Sequence, residues 1–217
     1  MNIETPDYRI LSIPDRHEAI NLIEMAGRVC YKSEYKEEGA PFISRLIDKG
    51  HLSVIEHAKI SVIIFCDRGV SHELVRHRLA SYSQESTRWG NYSLGRFGHN
   101  ITVIKPLFWD EESIEYAYWH KAMRNAEESY MILLEQGASA QEARSVLPNS
   151  LKTEIVMSAN IREWRHVFSL RCAKQSHPQM REVMRPLLST FHHHFDSVLH
   201  DEGDPFFGDL ASKFLNE

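Results

Sequence analysis

The spacing of hydrophobic and polar positions along the chain predicts a mixture of helices and short strands. β-Branched or alternating runs are typical of strands, and four occur: Tyr8–Ile13, expected at a sheet edge, Ala58–Cys66, expected as the central strand, Ile101–Ile104 and Leu151–Ala159. Apolar residues at helical spacing, bounded by caps, Gly and Pro, predict helices over Asp15–Val29, Phe42–Ile47, Gly69–Val75, Glu111–Leu134, Ser139–Leu147, Asn160–Arg171 and Pro178–Leu199, the last bent near Pro186. Loops are expected at Lys32–Gly39 and in the region of Gly90, Gly95 and Gly98.

The length of the chain favours a single domain spanning residues 1–217, since 217 residues suffice for one well-packed core and are few for two. No stretch approaches the ~20 apolar residues of a membrane span, and the first eight residues do not resemble a signal peptide. We therefore expect a cytoplasmic protein without a membrane partner.

The cysteines and histidines favour neither a disulfide framework nor a metal site. Cys30, Cys66 and Cys172 are far apart, odd in number and form no C-x-x-C pair, which fits a reducing compartment. Cys66 lies in an apolar run, and nothing in the sequence makes Cys30 or Cys172 a nucleophile, although both lie closer to charges. Consecutive helical residues point about 100° apart, so His192–His194 cannot all face one ion, and no metal is expected.

Positive charge is concentrated in one segment of an acidic chain. The net charge of −5 and the pI near 6.2 argue against a protein that coats nucleic acid. The segment Arg76–Arg88 nevertheless carries three arginines, one histidine and several hydroxyls, and we expect it to be a loop that faces a ligand. Because Arg presents a planar fork of donors and Ser86 and Thr87 add short ones, the chemistry alone predicts a phosphate-bearing small molecule. Neither a P-loop nor a strand-linked G-x-G-x-x-G motif is present.

Four separated segments resemble the flavin-dependent thymidylate synthases. Arg76-His77-Arg78 followed by Ser86 is similar to the family's R-H-R-x7-S signature. His51–His57 resembles its H-x-[ST]-x-x-E-H junction, Glu142–Pro148 its A-R-x-x-L-P segment and Asn160–Arg171 its N-x-R...L-R segment. The resemblance covers roughly Arg28 to Leu188.

The resemblance implies an α/β fold of the α+β type, with a central, largely antiparallel twisted sheet flanked by helices in a single domain. It implies a methyltransferase that converts dUMP to dTMP without a Cys nucleophile, using methylene-tetrahydrofolate as one-carbon donor and NADPH-reduced FAD as hydride source. It further implies a homotetramer with active sites where subunits meet. Two other readings stay open: an inert nucleotide- or RNA-binding module, and a metal-dependent hydrolase that uses the His-rich C-terminal helix.

The family's functional residues transfer to matching positions of this sequence. Arg171 matches the catalytic arginine that polarises the uracil ring, and His51 is a candidate contact for folate or flavin. The matches for FAD binding are Ser53, Arg76, His77, Arg78, Gln84, Asn160, Arg162 and His166, and those for dUMP binding are Glu73, Arg76, Gln84, Glu85, Ser86, Thr87, Arg88, Arg144 and Arg171. Three places depart from the pattern: Glu73 stands where an amide is common, Gln84-Glu85 where an acidic and an apolar residue are common, and His166 where Asn is common.

Overall fold

The computed structural model describes residues 1–34, 39–95, 98–196 and 203–216, and both helices and strands occur along them. The elements in order are β1 (Asn2–Glu4), β2 (Asp7–Ser12), α1 (Arg16–Tyr31), α2 (Gly39–Asp48), a 3₁₀ turn (Leu52–Glu56), β3 (Lys59–Asp67), α3 (Arg68–Leu74), β4 (Ser81–Gln84), β5 (Thr102–Ile104), α4 (Ile114–Glu135), α5 (Ala140–Ala143), a second 3₁₀ turn (Arg144–Val146), β6 (Lys152–Asn160), α6 (Ile161–Arg171), α7 (Pro178–Phe195) and α8 (Gly208–Phe214).

The main sheet has the strand order β2-β3-β6-β4, and β1 pairs in parallel with β5 in a separate two-stranded sheet. The partners of β3 show its direction against β6: Ser61 Oγ lies 2.7 Å from Ser158 Oγ, while the Arg68 N–H, just after β3, donates to Leu151 O at 3.1 Å. Residue numbers rise on one strand as they fall on the other, so this pair is antiparallel. The predicted fold class is confirmed, as are the edge position of β2 and the central position of β3.

The chain divides into two compact units, and β3 and β6 each contribute residues to both. The first unit comprises Met1–Asp7, Ile64–Arg76 and Tyr82–Val156. Its core gathers Val103 of β5, the buried face of α4 and Leu151 just before β6, with Tyr130 fully buried. Ser113 caps α4 by accepting from the Tyr116 N–H at 3.2 Å. Tyr130 also holds the turns that follow β4, since its hydroxyl donates to Gly90 O and accepts from the Tyr92 N–H, each at 3.4 Å.

The second unit comprises Tyr8–Ile63, His77–Ser81 and Met157–Glu217, and its core is aromatic. Trp164 and Phe168 on α6 stack at 5.6 Å between ring centroids, and both meet Phe191 of α7 edge to face. Buried aromatic pairs each add roughly 0.5–1.5 kcal/mol beyond area burial. Because the Trp164 indole N–H also donates to Ile60 O at 3.1 Å, α6 is held at a defined rotation about its axis.

Several boundaries differ from the predictions for local reasons. Ser81–Gln84, expected to be loop, forms β4, and the helix expected over Ser139–Leu147 is α5 followed by the second 3₁₀ turn. β1 and α8 had no predicted counterpart, because short segments carry too few residues for periodicity to register. Parts of the predicted loop Lys32–Gly39 and of the predicted loop in the region of Gly90, Gly95 and Gly98 lie outside the described residues, as does the end of the predicted helix Pro178–Leu199.

Candidate active site

The end of β4 directs two neighbouring side chains to different partners. Gln84 Nε2 donates to Ser71 Oγ at 2.9 Å and to Thr153 Oγ1 at 3.2 Å, so two hydroxyls orient the amide. Glu85 instead accepts a 3.0 Å bond from the Tyr92 hydroxyl. Successive strand residues face opposite sides of a sheet, which explains the separation.

Burial raises the pKa of the Glu85 carboxyl, with the bond from Tyr92 opposing that shift. The Glu85 N–H donates to Glu154 O at 2.9 Å, and its carbonyl accepts from Arg68 Nη1 at 3.3 Å. The backbone of Glu85 therefore aligns the start of the next turn, while its carboxylate accepts the hydrogen bond from Tyr92. The prediction that Glu85 contacts dUMP stays a prediction, and a contact through its side chain has less support than one through Gln84.

An arginine–hydroxyl cluster follows β4 and consists of Ser86, Thr87, Arg88 and Arg144. Ser86 Oγ accepts from the Arg88 N–H at 3.2 Å, and Arg144 Nη1 approaches Thr87 Oγ1 at 3.5 Å across 57 positions of sequence. Arg88 Nε donates to Gln141 Oε1 at 3.3 Å. Ser86, Arg88 and Arg144 are exposed, whereas Thr87 is buried. Two guanidinium groups beside hydroxyls form a donor set that matches a phosphate.

Two more residues predicted to bind dUMP or FAD lie just before this cluster in sequence. Glu73 is half-buried on α3, and its carbonyl accepts from the Arg76 N–H at 3.3 Å as the helix ends. The Arg76 side chain is exposed. Both predicted roles remain predictions.

A second group, the histidine–arginine cluster, consists of His77, Glu163, His166 and Arg171 in the second unit. Arg171 Nε donates to His77 Nε2 at 3.0 Å, and His77 Nδ1 lies 3.6 Å from Glu163 Oε1. The His77 and His166 rings meet edge to face with centroids 5.6 Å apart. His77 and Glu163 are 4% and 5% exposed, Arg171 is half-buried and His166 is exposed.

Burial sets the protonation state of this cluster. Together with the charges of neighbouring Arg171 and His166, it lowers the pKa of His77 to about 4, so the ring is neutral near pH 7. Burial also raises the pKa of the Glu163 carboxyl, against the opposing charges of His166 and Arg162. The contact between His77 and Glu163 is thus one between a neutral imidazole and a carboxyl group.

The lowered pKa of His77 predicts that the folded protein loses stability as the pH falls. Since the folded pKa of about 4 lies below the ordinary value of 6.5, the unfolded chain binds more protons between these values. The contribution of neutral His77 to the free energy of unfolding is therefore present above about pH 6.5. It is lost as the pH falls towards 4, and the free energy of unfolding falls by at most about 1.4 kcal/mol per pH unit.

Urea unfolding at several pH values measures this effect. The variant His77→Gln, which cannot titrate, should show a shallower loss of unfolding free energy between pH 6.5 and 4.5 than the wild type. His17→Gln, at an exposed position of the same unit, is the control and should retain the wild-type slope. Equal slopes for all three proteins would contradict the assigned burial effect.

A third group lies at the start of α6. Asn160 caps this helix by accepting from the Glu163 N–H at 2.9 Å, which leaves its amide N–H donors for a ligand. Exposed Arg162 forms a 2.6 Å ion pair with Glu56 of the first 3₁₀ turn, which also carries exposed Ser53. Hydroxyl, amide and guanidinium donors beside a helix N-terminus suit an anionic ligand. His51, which precedes the turn, and Arg78 are exposed as well.

The structure adds residues that the sequence did not single out. Ser71 and Thr153 orient Gln84, and Glu163 faces His77. A position three residues after an N-cap is ordinarily occupied by Glu for capping, so the sequence carried no signal that Glu163 faces a histidine.

The three cysteines do not share the exposed, polar surroundings of these clusters as a group, since two of them are buried. Cys66 and Cys172 are fully buried, and burial raises the pKa of Cys172 to about 12 and that of Cys66 further. Cys30 is exposed. Among residues 1–34, 39–95, 98–196 and 203–216, no group of three His, Cys, Asp or Glu could hold a metal ion, and none of the helices there is both long and apolar enough to cross a membrane.

Comparisons with known proteins agree with one another. Residues 13–195 match the model of the family described as "Thymidylate synthase complementing protein". A flavin-dependent thymidylate synthase of Geobacter sulfurreducens is 33% identical over 185 residues, covering 81% of this chain and 77% of the relative. One of Pyrococcus abyssi is 30% identical over 190 residues, covering 83% and 77%.

The crystal structure of a UMP/dUMP methylase, PolB from Streptomyces cacaoi, bound with 5-Br dUMP, has a similar fold. It superposes with a TM-score of 0.75, covering 99% of this chain and 98% of that chain. At 20% sequence identity the likeness supports the fold.

Proposed function

Since this chain belongs to the flavin-dependent thymidylate synthase family, we propose that it converts dUMP to dTMP by reductive methylation and that its three polar groups serve this reaction. The observation that carries the proposal is the 3.0 Å bond from Arg171 Nε to His77 Nε2. It joins the last residue of one family segment to the centre of the Arg-His-Arg motif. A single partly buried contact thereby links two of the four segments that characterise the family.

The residues at the start of α6 fit FAD, the flavin cofactor of this enzyme. Ser53, Asn160 and Arg162 supply donors for its phosphates, and Arg76, Arg78, Gln84, His166 and His77 are the further proposed contacts. When bound there, the flavin would supply hydride drawn from NADPH, so that the one-carbon unit of methylene-tetrahydrofolate ends as the methyl group of dTMP. The chain's own part is to hold these molecules and to orient the uracil ring.

The arginine–hydroxyl cluster is the proposed site of the dUMP phosphate. Arg88 and Arg144 supply fixed positive charge, and Ser86 and Thr87 supply hydroxyls. Glu73, Arg76, Gln84 and Glu85 are the remaining proposed contacts of the nucleotide. Gln84 is suited to recognise an uncharged ligand group because Ser71 and Thr153 orient its amide.

Arg171 is the proposed catalytic residue. Carbon 5 of uracil must become nucleophilic, and a guanidinium beside N3 and its neighbouring carbonyl stabilises the anion that makes it so. Arg does not lose its proton near neutral pH, so Arg171 acts as an electrostatic stabiliser and not as a general acid. His77, which accepts from Arg171 Nε, is neutral and leaves the positive charge on the guanidinium.

The cysteines should be dispensable for turnover. Cys66 and Cys172 are buried thiols with raised pKa values, so neither forms an appreciable amount of the nucleophilic thiolate near neutral pH. We expect Cys30→Ser, Cys66→Ala and Cys172→Ala each to retain turnover within about threefold, measured as dTMP formed per folded protein. Loss of activity from Cys30→Ser, at the exposed position, would instead indicate covalent catalysis.

The proposed assembly is a cytoplasmic homotetramer with active sites at its subunit interfaces and dUMP, NADPH and folate as small-molecule partners. Within each subunit, residues 1–217 are proposed to form a single domain. Three thiols outside any disulfide support the compartment, and the family supports the rest. His51 is proposed as a contact of folate or flavin.

The visible spectrum of the purified protein tests the proposed ligands. An FAD-type absorption spectrum that dUMP perturbs, and that uridine without a phosphate perturbs far less, is the expected result. A colourless protein that binds RNA with a steep salt dependence would favour an inert binding module instead. Activity abolished by a chelator would favour a metal-dependent hydrolase.

A further inference from the structure

His77 lies across one face of α6 with a different partner for each of its ring nitrogens. Glu163 and Arg171 are eight residues apart on that helix, about 12 Å along its axis, a distance that two long side chains and an imidazole can span together. Nε2 faces Arg171 Nε at 3.0 Å and Nδ1 faces Glu163 Oε1 at 3.6 Å. The three side chains thus form a chain of contacts from the first turn of α6 to its last residue.

The donors and acceptors in this chain determine the tautomer of His77. A guanidinium Nε always donates, so His77 Nε2 must accept and cannot carry a proton. The single proton of the neutral ring therefore resides on Nδ1, on the side of Glu163. A carboxyl oxygen there stabilises that tautomer, whereas an apolar neighbour would not.

An ordinary capping role does not explain the surroundings of Glu163 in α6. In α5 the third helical residue, Glu142, closes a capping box with Ser139. Glu163 holds the same position in α6, but its Oε1 lies 3.6 Å from His77 Nδ1 and its side chain is 7% exposed. Burial of a carboxyl group costs free energy, which indicates that Glu163 has a function beyond capping the helix.

Resting on the proposed function of Arg171, we infer that Glu163 is a positioning residue: by holding the proton of His77 on Nδ1, it lets Nε2 fix the guanidinium of Arg171 for the uracil ring. Arg171 and Glu163 favour the same tautomer, so loss of the carboxyl group at position 163 weakens that preference and His77 more often carries its proton on Nε2. Its Nε2–H would then oppose the Arg171 N–H, and the guanidinium would lose its orientation. The loss should affect the transition state more than substrate binding.

Substitutions at Glu163 that keep or remove the acceptor test the inference. In Glu163→Gln the amide oxygen still accepts, so kcat for dTMP formation should stay within about threefold of the wild type. In Glu163→Leu and Glu163→Ala the acceptor is gone, and kcat should fall about 10- to 100-fold. The KM for dUMP should change little in all three, because the lost interaction acts in the transition state.

The matched control is Glu18→Ala, which removes an exposed Glu from the third position of α1, a helix of the same unit. It should keep wild-type kcat. Rates are counted per flavin-loaded enzyme and thermal melting verifies the fold. Equal kcat in the Gln and the apolar variants would overturn the inference. If the apolar variants do not fold, Glu163→Gln decides alone, and a tenfold loss in the folded, flavin-loaded protein would overturn it.

Wild type and Arg171→Ala are assayed beside these variants to separate the two claims. If the wild type makes dTMP, Arg171→Ala does not and the apolar Glu163 variants run at the wild-type rate, the inference fails and the proposed function stands. If the wild type makes no dTMP under any condition, the proposed function fails and the inference with it.

Discussion

Arg171→Ala is expected to bind FAD normally and to form almost no dTMP. The guanidinium supplies the fixed positive charge beside the uracil ring, and removal of one such preorganised donor typically lowers kcat about 100- to 1000-fold. The bond to His77 at 3.0 Å indicates that Arg171 is held before substrate arrives, which is the condition for so large an effect. The measurement is dTMP formation at saturating substrates, with flavin content read from the visible spectrum.

Two further variants sharpen this result. Arg171→Lys keeps the charge but not the Nε–H that His77 accepts, so it should recover part of the rate at most. Arg9→Ala removes an exposed arginine of the same unit and should behave as wild type. Near-normal turnover in Arg171→Ala would show that the assigned role is wrong, and loss of FAD from that variant would make it a binding residue.

The double variant Arg88→Ala/Arg144→Ala should lose most of its affinity for dUMP while its fold stays intact. Each charge-assisted bond to a phosphate contributes about 1.5–3 kcal/mol, so two together correspond to at least a hundredfold rise in the Kd for dUMP. Both side chains are exposed, and the contact from Arg144 to buried Thr87 is long at 3.5 Å, so their removal should cost the fold little. Titration of dUMP against the flavin spectrum measures the affinity.

Deoxyuridine, which lacks the phosphate, provides the control ligand. Its weak binding should be the same in the wild type and in the double variant, because the cluster has no phosphate to hold. Arg124→Ala, an exposed position on α4 of the same unit, should bind dUMP as the wild type does. If the double variant lost affinity for both ligands equally, the cluster would recognise something other than the phosphate.

The fold was predictable where a segment was long or its ends were chemically marked. Asp15 caps α1 by accepting from the His17 N–H at 2.8 Å, and Ser139 begins α5 with the expected capping box. β4 escaped prediction because Ser81–Gln84 is short, polar and embedded in a charged segment, so that pairing with β6 and not its own sequence determines its structure.

The candidate site was predictable as a set of residue types but not as a set of contacts. The resemblance named Arg171 and His77 separately, and their bond depends on tertiary packing across 94 positions. Gln84 and Glu85 were treated together as departures from the family pattern, whereas the strand sends their side chains to different partners. Glu163 was not named at all, because its helix position already had an ordinary explanation.

The identity of the folate product tests the central claim most directly. Purified protein is incubated with dUMP, methylene-tetrahydrofolate, NADPH and FAD, and the nucleotide and folate products are identified by mass spectrometry. The account predicts dTMP and tetrahydrofolate in equal amounts, with NADPH required, because the hydride comes from the reduced flavin. Dihydrofolate as the product, or dTMP formed without NADPH, would contradict it, since the folate itself would then be the reductant.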